Sequence, residues 1–436
     1  MKIAHITPGT GGQFYCQNCF RDGALLESSR ELGHEIHRVP MYLPLDLDHH
    51  KWDRKAPVFY GAINIFLKEK WSLYRNAPLW MEQVFDSGPM LHLAARMSGS
   101  TKASGLEEMT LSMLRGEEGN QASELDHLVQ YLAEKVRPDV VHLSNALLLG
   151  LVKRMKADLG CKIICSLQDE NEWIDPMEAA YQQQVWGLMA QKAVDVDRFI
   201  AASHYYSRFS QRKLNIPASK VHVVYAGIHL EGYRKSPLPL RPPVIGYLSR
   251  MSESLGLGIL IDAFLSLKRD PEFQDLRLHI MGGHTAEDQR FIRQMLKAIK
   301  LQGCEDSVRI SRTFDKPDRV DFLKTLTLLS VPVSAGEAFG TYQVEALAAG
   351  VPVVQPNVGG FPEFVAATNG GVIYEPNDSR TLAETIASLL RQPDRLRACA
   401  EQGHHAVMAQ FSIKNMVRDL TKIYEDVFED FSGANP

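Results

Sequence analysis

Two glutamates, Glu337 and Glu345, stand eight positions apart in residues 334–350, a stretch that also carries Gly336, Gly340 and Gly350. The glycines and the apolar spacing after them predict a loop that opens a helix, and residues 351–354 read as a buried strand directly behind it. At such a helix start the backbone N–H groups of Phe339, Gly340 and Thr341 lack intrahelical acceptors, and the macrodipole adds positive potential. These residues therefore predict an anion site suited to phosphate. Glu337 precedes that site, while Glu345 falls about one turn inside the helix, where a carboxylate accepts hydrogen bonds from sugar hydroxyls. The ligand that suits both features is diphosphate at one end and sugar at the other.

The elements that must position these residues are legible as an alternation of short β-rich runs with longer amphipathic segments, the pattern of parallel sheets joined by helical crossovers. Residues 2–7 read as a first strand, Gly9, Gly11 and Gly12 as its turn, and 19–32 as a helix ending at Gly33. Strands are further expected over 35–40, 139–143, 162–166, 198–202 and 221–225. Pro237, Pro239, Pro242 and Pro243 then predict an extended linker over 236–243. The alternation restarts, with strands expected over 244–248, 276–280, 308–310, 328–333 and 351–355. The fold class is α/β: two tandem Rossmann-like, doubly wound domains with a cleft between them, ligands lying at the carboxyl ends of the strands. The expected boundaries are 1–235, with a helical insertion over about 42–126, the linker 236–243, a second domain 244–410, and a C-terminal helix over 411–436 that packs back on the first domain. The insertion carries an aromatic and basic stretch at 66–75; ordinary helical cover is its first reading, with acceptor binding or peripheral membrane contact as the others.

Composition narrows the function. The 436 residues are 45% hydrophobic with a formal net charge of −4, which supports sizeable cores and gives no basic field for nucleic acid. No apolar run is long enough to span a bilayer, and the N-terminus enters a strand without a secretory leader, so a cytoplasmic location is expected. Reduced thiols are the expectation there for the six cysteines, including the Cys16/Cys19 pair. A zinc reading of that pair lacks the further ligands such a site needs.

Three features, in order and spacing, resemble the retaining glycosyltransferases of the glycogen-synthase-like (group 1) superfamily, whose two Rossmann-like domains form the GT-B architecture. Glu337 and Glu345 match that family's Glu-x7-Glu signature. Residues 357–363, with Gly359, Gly360 and Glu363, resemble its next donor-site loop, and 246–250 followed by Gly256 resemble its diphosphate-binding strand and loop. The resemblance implies a donor that is a nucleoside diphosphate sugar, an acceptor hydroxyl on a sugar, glycan or lipid-linked molecule, no further cofactor and no metal. It implies that Glu337 lies beside the donor sugar, that Arg250 pairs with the diphosphate, and that Glu345 binds ribose hydroxyls. Phe339, Gly340 and Thr341 would hold the distal phosphate, with Gly11, Gly12, Gly359, Gly360 and Glu363 completing the donor site. His142, Ser144, Gln168 and Asp169 fall on acceptor or sugar positions.

The chain also departs from that family. Leu255 stands immediately before Gly256 where a lysine is usual, which removes one of two cations expected on the leaving group, and Glu253 adds negative charge nearby. Ser144 stands where a second histidine is often found, and Gln168-Asp169 where His-Asp or His-Gly is common. A nucleotide-sugar-binding protein of the same fold with weak or no transfer activity is therefore the alternative to a hexosyl-transferring enzyme.

Overall fold

The computed structural model describes residues 1–8, 15–19, 21–23, 25, 33–41, 106–311 and 313–432. The chain divides into two compact units, one of Met1–Gly11, Asp22–Val224 and Val417–Pro436, the other of Gly12–Arg21 and Tyr225–Met416. Each is built on its own six-stranded, all-parallel sheet.

In the first unit the strands are β1 (Lys2–Thr7), β2 (Glu35–Pro40), β3 (Val140–Leu143), β4 (Lys162–Leu167), β5 (Arg198–Ala201) and β6 (Val221–Val223). Their spatial order is β2-β1-β3-β4-β5-β6. Parallel strands covered on both faces read as continuous apolar runs, and every residue of β3 is buried. Helices such as Val152–Leu159, Ala179–Ala193 and His204–Leu214 supply the crossovers; Ser203 caps the last, its Oγ accepting from the Tyr206 N–H at 3.1 Å. Of the helix expected over 19–32, residues 19, 21–23 and 25 are described, and they are helical. Within the expected insertion, residues 106–126 are described: helix Glu107–Arg115 buries Thr110–Leu114, and helix Ala122–Tyr131 runs past 126. The stretch 66–75, like Gly11 and Gly12, lies outside the described residues.

The second unit comprises β7 (Val244–Leu248), β8 (Arg277–Met281), β9 (Val308–Ile310), β10 (Leu328–Leu329), β11 (Val353–Pro356) and β12 (Gly371–Tyr374), ordered β12-β11-β10-β7-β8-β9. Strand β12 was not among the expected strands, and it opens on Gly371, a residue type that weakens a strand pattern. A Cβ on Gly371 would lie 2.1 Å from the Val353 carbonyl oxygen, so this glycine permits close strand approach. Strand β10 is shorter than the expected 328–333: Val331 donates its N–H to the Gln355 side chain at 3.0 Å, and Pro332 has none to give. Among the described residues no helix is long and apolar enough to cross a membrane.

Chain order reverses about β1 and β3 in the first sheet and about β7 and β10 in the second. At such switch points two neighbouring strands send their loops to opposite faces, and a crevice opens at their carboxyl ends. The first such point lies at the carboxyl ends of β1 and β3, the second at those of β7 and β10.

Close helix approach in the first unit depends on glycine. A Cβ on Gly150 would sit 2.1 Å from the Met113 carbonyl oxygen, whereas one on Gly187, inside helix Ala179–Ala193, meets nothing within 4 Å. Gly150→Ala is expected to lower stability by about 2–3 kcal/mol, because backbone must shift. Gly187→Ala is expected to raise it by about 0.5–1 kcal/mol through helix propensity. Thermal unfolding followed by circular dichroism compares the two, and equal midpoints would contradict this account of the packing.

Candidate functional site

Arg250 and Glu337 come from the two loops that leave the β7/β10 switch point. Tyr247, buried at the end of β7, ties the first loop: its hydroxyl donates to the carbonyl oxygens of Arg250 at 2.8 Å and Leu255 at 3.2 Å. The loop is pressed against the segment after β10, since a Cβ on Gly256 would lie 1.9 Å from the Pro332 carbonyl oxygen, and Ser334 N–H donates to Ser254 O at 3.1 Å. Burial, then the nearby Glu337 carboxylate, pushes the Tyr247 phenol well above its ordinary range. Tyr247 therefore remains a neutral donor beside that carboxylate.

Glu337 is buried and accepts from the Tyr342 hydroxyl at 2.8 Å. Its backbone packs directly on the loop after β11. Gly336 and Gly359 both have positive φ, at 77° and 62°, and a Cβ on Gly359 would lie 2.6 Å from Glu337 O. Gly360 donates its N–H to Glu337 O at 2.9 Å, and helix Phe361–Thr368 starts there. Gly359 and Gly360 thus position Glu337 through backbone. Glu363 lies in the first turn of that helix and accepts from the Tyr225 hydroxyl at 2.9 Å, while the Tyr225 ring lies 5.9 Å from Phe339.

Helix Thr341–Ala348 opens at Gly340, whose φ of 81° is the left-handed conformation glycine tolerates. Its eight residues are all buried, Glu345 among them. The expectation of open N–H groups at this helix start requires correction at Thr341, whose N–H donates to Gln17 Oε1 at 2.8 Å. Glu345 is likewise engaged. Its Oε1 accepts from Tyr233 at 2.6 Å and Arg319 Nε at 2.9 Å, and its Oε2 accepts from Tyr15 at 3.0 Å. A buried carboxylate demands such partners, and the family signature says nothing of who provides them. Burial pulls the Arg319 guanidinium down, but the adjacent Glu345 outweighs it and holds the cation firmly charged.

Arg250 Nε lies 3.7 Å from Asp288 Oδ2, an acid that also accepts from the N–H and hydroxyl of Thr285, both within 2.9 Å. Leu255 is half-buried and Glu253 exposed. Cys16 and Cys19 are joined as a disulfide, correcting the expectation of free thiols; three positions apart on a turn of helix, their Cα atoms lie 5.4 Å apart.

In the first unit Thr7, the last residue of β1, and Ser144, just after β3, are both buried, with hydroxyls that have no hydrogen-bond partner among the described residues. His142 has both ring nitrogens engaged, with Tyr424 at 2.6 Å and Ser166 at 2.9 Å, so neither is available to a sugar. The carboxyl end of β4 is organised by Glu170, which accepts from the N–H groups of Ala146 and Gln168 and from the Tyr206 hydroxyl. Gln168 also donates to Asp22 at 3.2 Å, and Asp169 is buried with a φ of 55°. Sequence reading missed Tyr15, Gln17, Tyr233, Asp288, Arg319, Tyr342 and Glu170. Only Glu170, an acid beside the singled-out Gln168-Asp169, carried a local signal.

Burial and neighbouring carboxylates push the phenols of Tyr15, Tyr206, Tyr233, Tyr247 and Tyr342 well above their ordinary range, and that of Tyr225 to about 12. Well below pH 10.0 these phenols are neutral whether the chain is folded or not, so they contribute no pH dependence there. As pH rises from 10.0 towards 12 the unfolded chain releases a proton that folded Tyr225 retains, and stability falls. Alkaline titration of phenolate absorbance is expected to show a set that ionises only as circular dichroism is lost. Ionisation of every phenol near the ordinary value with the fold intact would contradict this.

The family model described as glycosyl transferases group 1 matches residues 231–406, and that described as glycosyltransferase family 4 matches residues 113–231. The chain is 31% identical over 258 residues to D-inositol 3-phosphate glycosyltransferase 1 of Catenulispora acidiphila, covering 56% of this chain and 58% of that one. It is 28% identical over 272 residues to D-inositol 3-phosphate glycosyltransferase of Mycolicibacterium smegmatis, covering 60% and 58%. The match thus spans little more than half the length of these relatives. Among solved structures, sucrose-phosphate synthase from Thermosynechococcus elongatus superposes with a TM-score of 0.73 at 16% identity, covering 98% of this chain and 99% of that one. HepE of Anabaena, solved in complex with UDP, superposes with a TM-score of 0.66 at 18% identity, covering 98% and 100%. At these identities the structural likeness is one of fold. With two parallel six-stranded sheets of this order and the paired glutamates in place, the chain belongs to the group 1 glycosyltransferase family and has its GT-B architecture.

Proposed function

We propose that this protein is a retaining glycosyltransferase that moves a hexose-type sugar from a nucleoside diphosphate sugar to a hydroxyl acceptor, without a metal ion, in the cytoplasm. The observation that carries the reading is the convergence of Arg250 and Glu337 from the two loops of one switch point, with Glu345 one turn into the adjoining helix. Arg250 pairs with the diphosphate, the helix start from Phe339 to Thr341 faces the distal phosphate, and Glu345 receives the ribose hydroxyls. Glu337 lies beside the transferred sugar, and Glu363 completes the donor pocket. As the nucleoside diphosphate departs, negative charge grows on the bridging oxygen and the sugar becomes oxocarbenium-like. A fixed guanidinium aimed at that oxygen stabilises the transition state more than the ground state. Attack on the same face, with the leaving phosphate taking the acceptor proton, preserves configuration and requires no protein nucleophile.

The acceptor is received at the carboxyl ends of β3 and β4, where Ser144 carries a buried hydroxyl without a partner among the described residues and Gln168 and Asp169 lie on the turn after β4. His142, bonded to Tyr424 and Ser166, lies on β3 two residues before Ser144. The D-inositol 3-phosphate named in the relatives makes inositol phosphates the first acceptors to try.

Transfer is tested by incubating the pure protein with UDP-, GDP- and ADP-sugars and a set of hydroxyl acceptors, inositol phosphates included. The expected outcome is a glycosylated product with the donor's anomeric configuration, lost about 10²–10³-fold in kcat for Glu337→Gln. Neither transfer nor donor hydrolysis, from protein that binds donor, would defeat the enzymatic reading. That outcome would favour a nucleotide-sugar-binding protein, the alternative motivated by Leu255. Leu255→Lys is expected to raise turnover about tenfold or more by restoring a cation to the leaving group. Unchanged turnover would show that the natural chain does not lack one.

A further inference from the structure

Two of the anchors assigned to the donor nucleotide, Glu345 and Thr341, are occupied by one short segment of the chain. Tyr15 donates its hydroxyl to Glu345 Oε2 at 3.0 Å, as a ribose hydroxyl would. Two residues on, Gln17 Oε1 accepts the Thr341 N–H at 2.8 Å, as a phosphate oxygen would. The segment is seated firmly: Tyr15 is buried, its own N–H donates to Gly282 O at 2.7 Å, and the Arg319 guanidinium lies 5.6 Å from its ring centroid. Between and just beyond these two contacts lies the Cys16–Cys19 disulfide, which closes the turn that presents Gln17.

Glu345 has about four lone-pair sites, and protein donors from Tyr15, Tyr233 and Arg319 take three. A ribose offers two hydroxyls, so one protein donor must leave when it binds. Arg319 is held by the charge of Glu345 and by Phe314 O at 2.8 Å. Tyr15 meets Glu345 through a neutral hydroxyl, on a segment whose second contact competes with phosphate.

We propose that the segment Tyr15–Cys19 is an autoinhibitory strap of the donor site, occupying the ribose and phosphate positions, locked by the Cys16–Cys19 disulfide and released by a dithiol reductant. The release is a thiol–disulfide exchange: the Sγ–Sγ bond breaks, both cysteines gain a hydrogen, and the dithiol is oxidised to its own disulfide. Opening the bond frees the turn, and nucleotide then displaces Tyr15 and Gln17 at lower cost. The inference rests on the donor-site reading of Glu345 and Thr341.

Calorimetric titration of the full chain with UDP, GDP and ADP tests it, on oxidised protein and on protein in dithiothreitol, with thiols counted in each. Oxidised protein should show the four thiols of Cys161, Cys165, Cys304 and Cys399, and reduced protein all six. The nucleotide that binds is expected to do so about tenfold more tightly to the reduced form. The Cys16→Ser/Cys19→Ser double variant should bind as tightly with or without dithiothreitol. Tyr15→Phe and Gln17→Ala should each tighten binding to the oxidised form severalfold, with thermal midpoints confirming that they fold. Equal affinities in the two redox states, a disulfide that never forms, or weaker binding by Tyr15→Phe in the oxidised state would each overturn the strap. Glu345→Gln separates the two ideas. If it weakens binding to the reduced form while redox state has no effect, only the strap falls; if it leaves that binding intact, the donor-site reading itself fails.

Discussion

A carboxylate taken out of water must be given charge and hydrogen bonds in return, and the Glu345 site is arranged around that requirement. The acid is buried in a helix with no exposed residue, so its compensation has to arrive from elsewhere in the chain. Arg319 comes from the helix Lys316–Lys324, Tyr233 from the segment before β7, and Tyr15 from far earlier in sequence. Burying a complete ion pair is tolerable, whereas leaving one of its charges buried alone costs several kcal/mol, so Arg319 and Glu345 stay together. The consequence is a carboxylate kept oriented towards hydroxyl donors, whichever molecule supplies them.

A second constraint operates at Glu337. There the carboxylate is placed by backbone rather than by side-chain partners alone. Gly336 and Gly359 have positive φ and approach closely enough that a side chain on either would collide with the other loop. Two loops leaving neighbouring strands β10 and β11 are thereby stacked, and Gly360 N–H closes the contact on Glu337 O. Tyr342 and Tyr247 then surround the acid with phenols that burial keeps protonated, so its neighbours on that side are donors. Glu337 and Glu345 share a motif but are held by different physics, one by loop packing and one by a buried ion pair.

That difference explains what could be read from the sequence. Strand runs such as 244–248 are apolar throughout because both faces are covered, so their positions were legible; β12 was not, because it opens on Gly371, a glycine that lets it approach Val353 closely. The glycine-flanked glutamates were legible because loop, helix start and strand succeed one another locally. Tyr15, Gln17, Tyr233 and Arg319 were not, since each reaches its partner across a separation in sequence that no local pattern encodes. The Cys16–Cys19 pair shows the limit of compartment reasoning. The residues were visible, yet the bond depends on a helical turn that brings their Cα atoms within 5.4 Å.

The missing lysine takes on a different aspect in this setting. Leu255 has its N–H near Ser252 Oγ and its carbonyl bound by Tyr247, so the loop keeps its shape without a cation at that position. Glu253 is exposed to solvent, where screening weakens its effect on the site. The acid that does bear on Arg250 is Asp288, buried and fixed by Thr285. A guanidinium carries five donors in a planar fork, and Asp288 Oδ2 lies 3.7 Å from the Nε of this one. Asp288 therefore faces the Nε side of Arg250, and in the proposed reaction this arginine meets the charge of the leaving group once the donor displaces the segment that now fills the helix start.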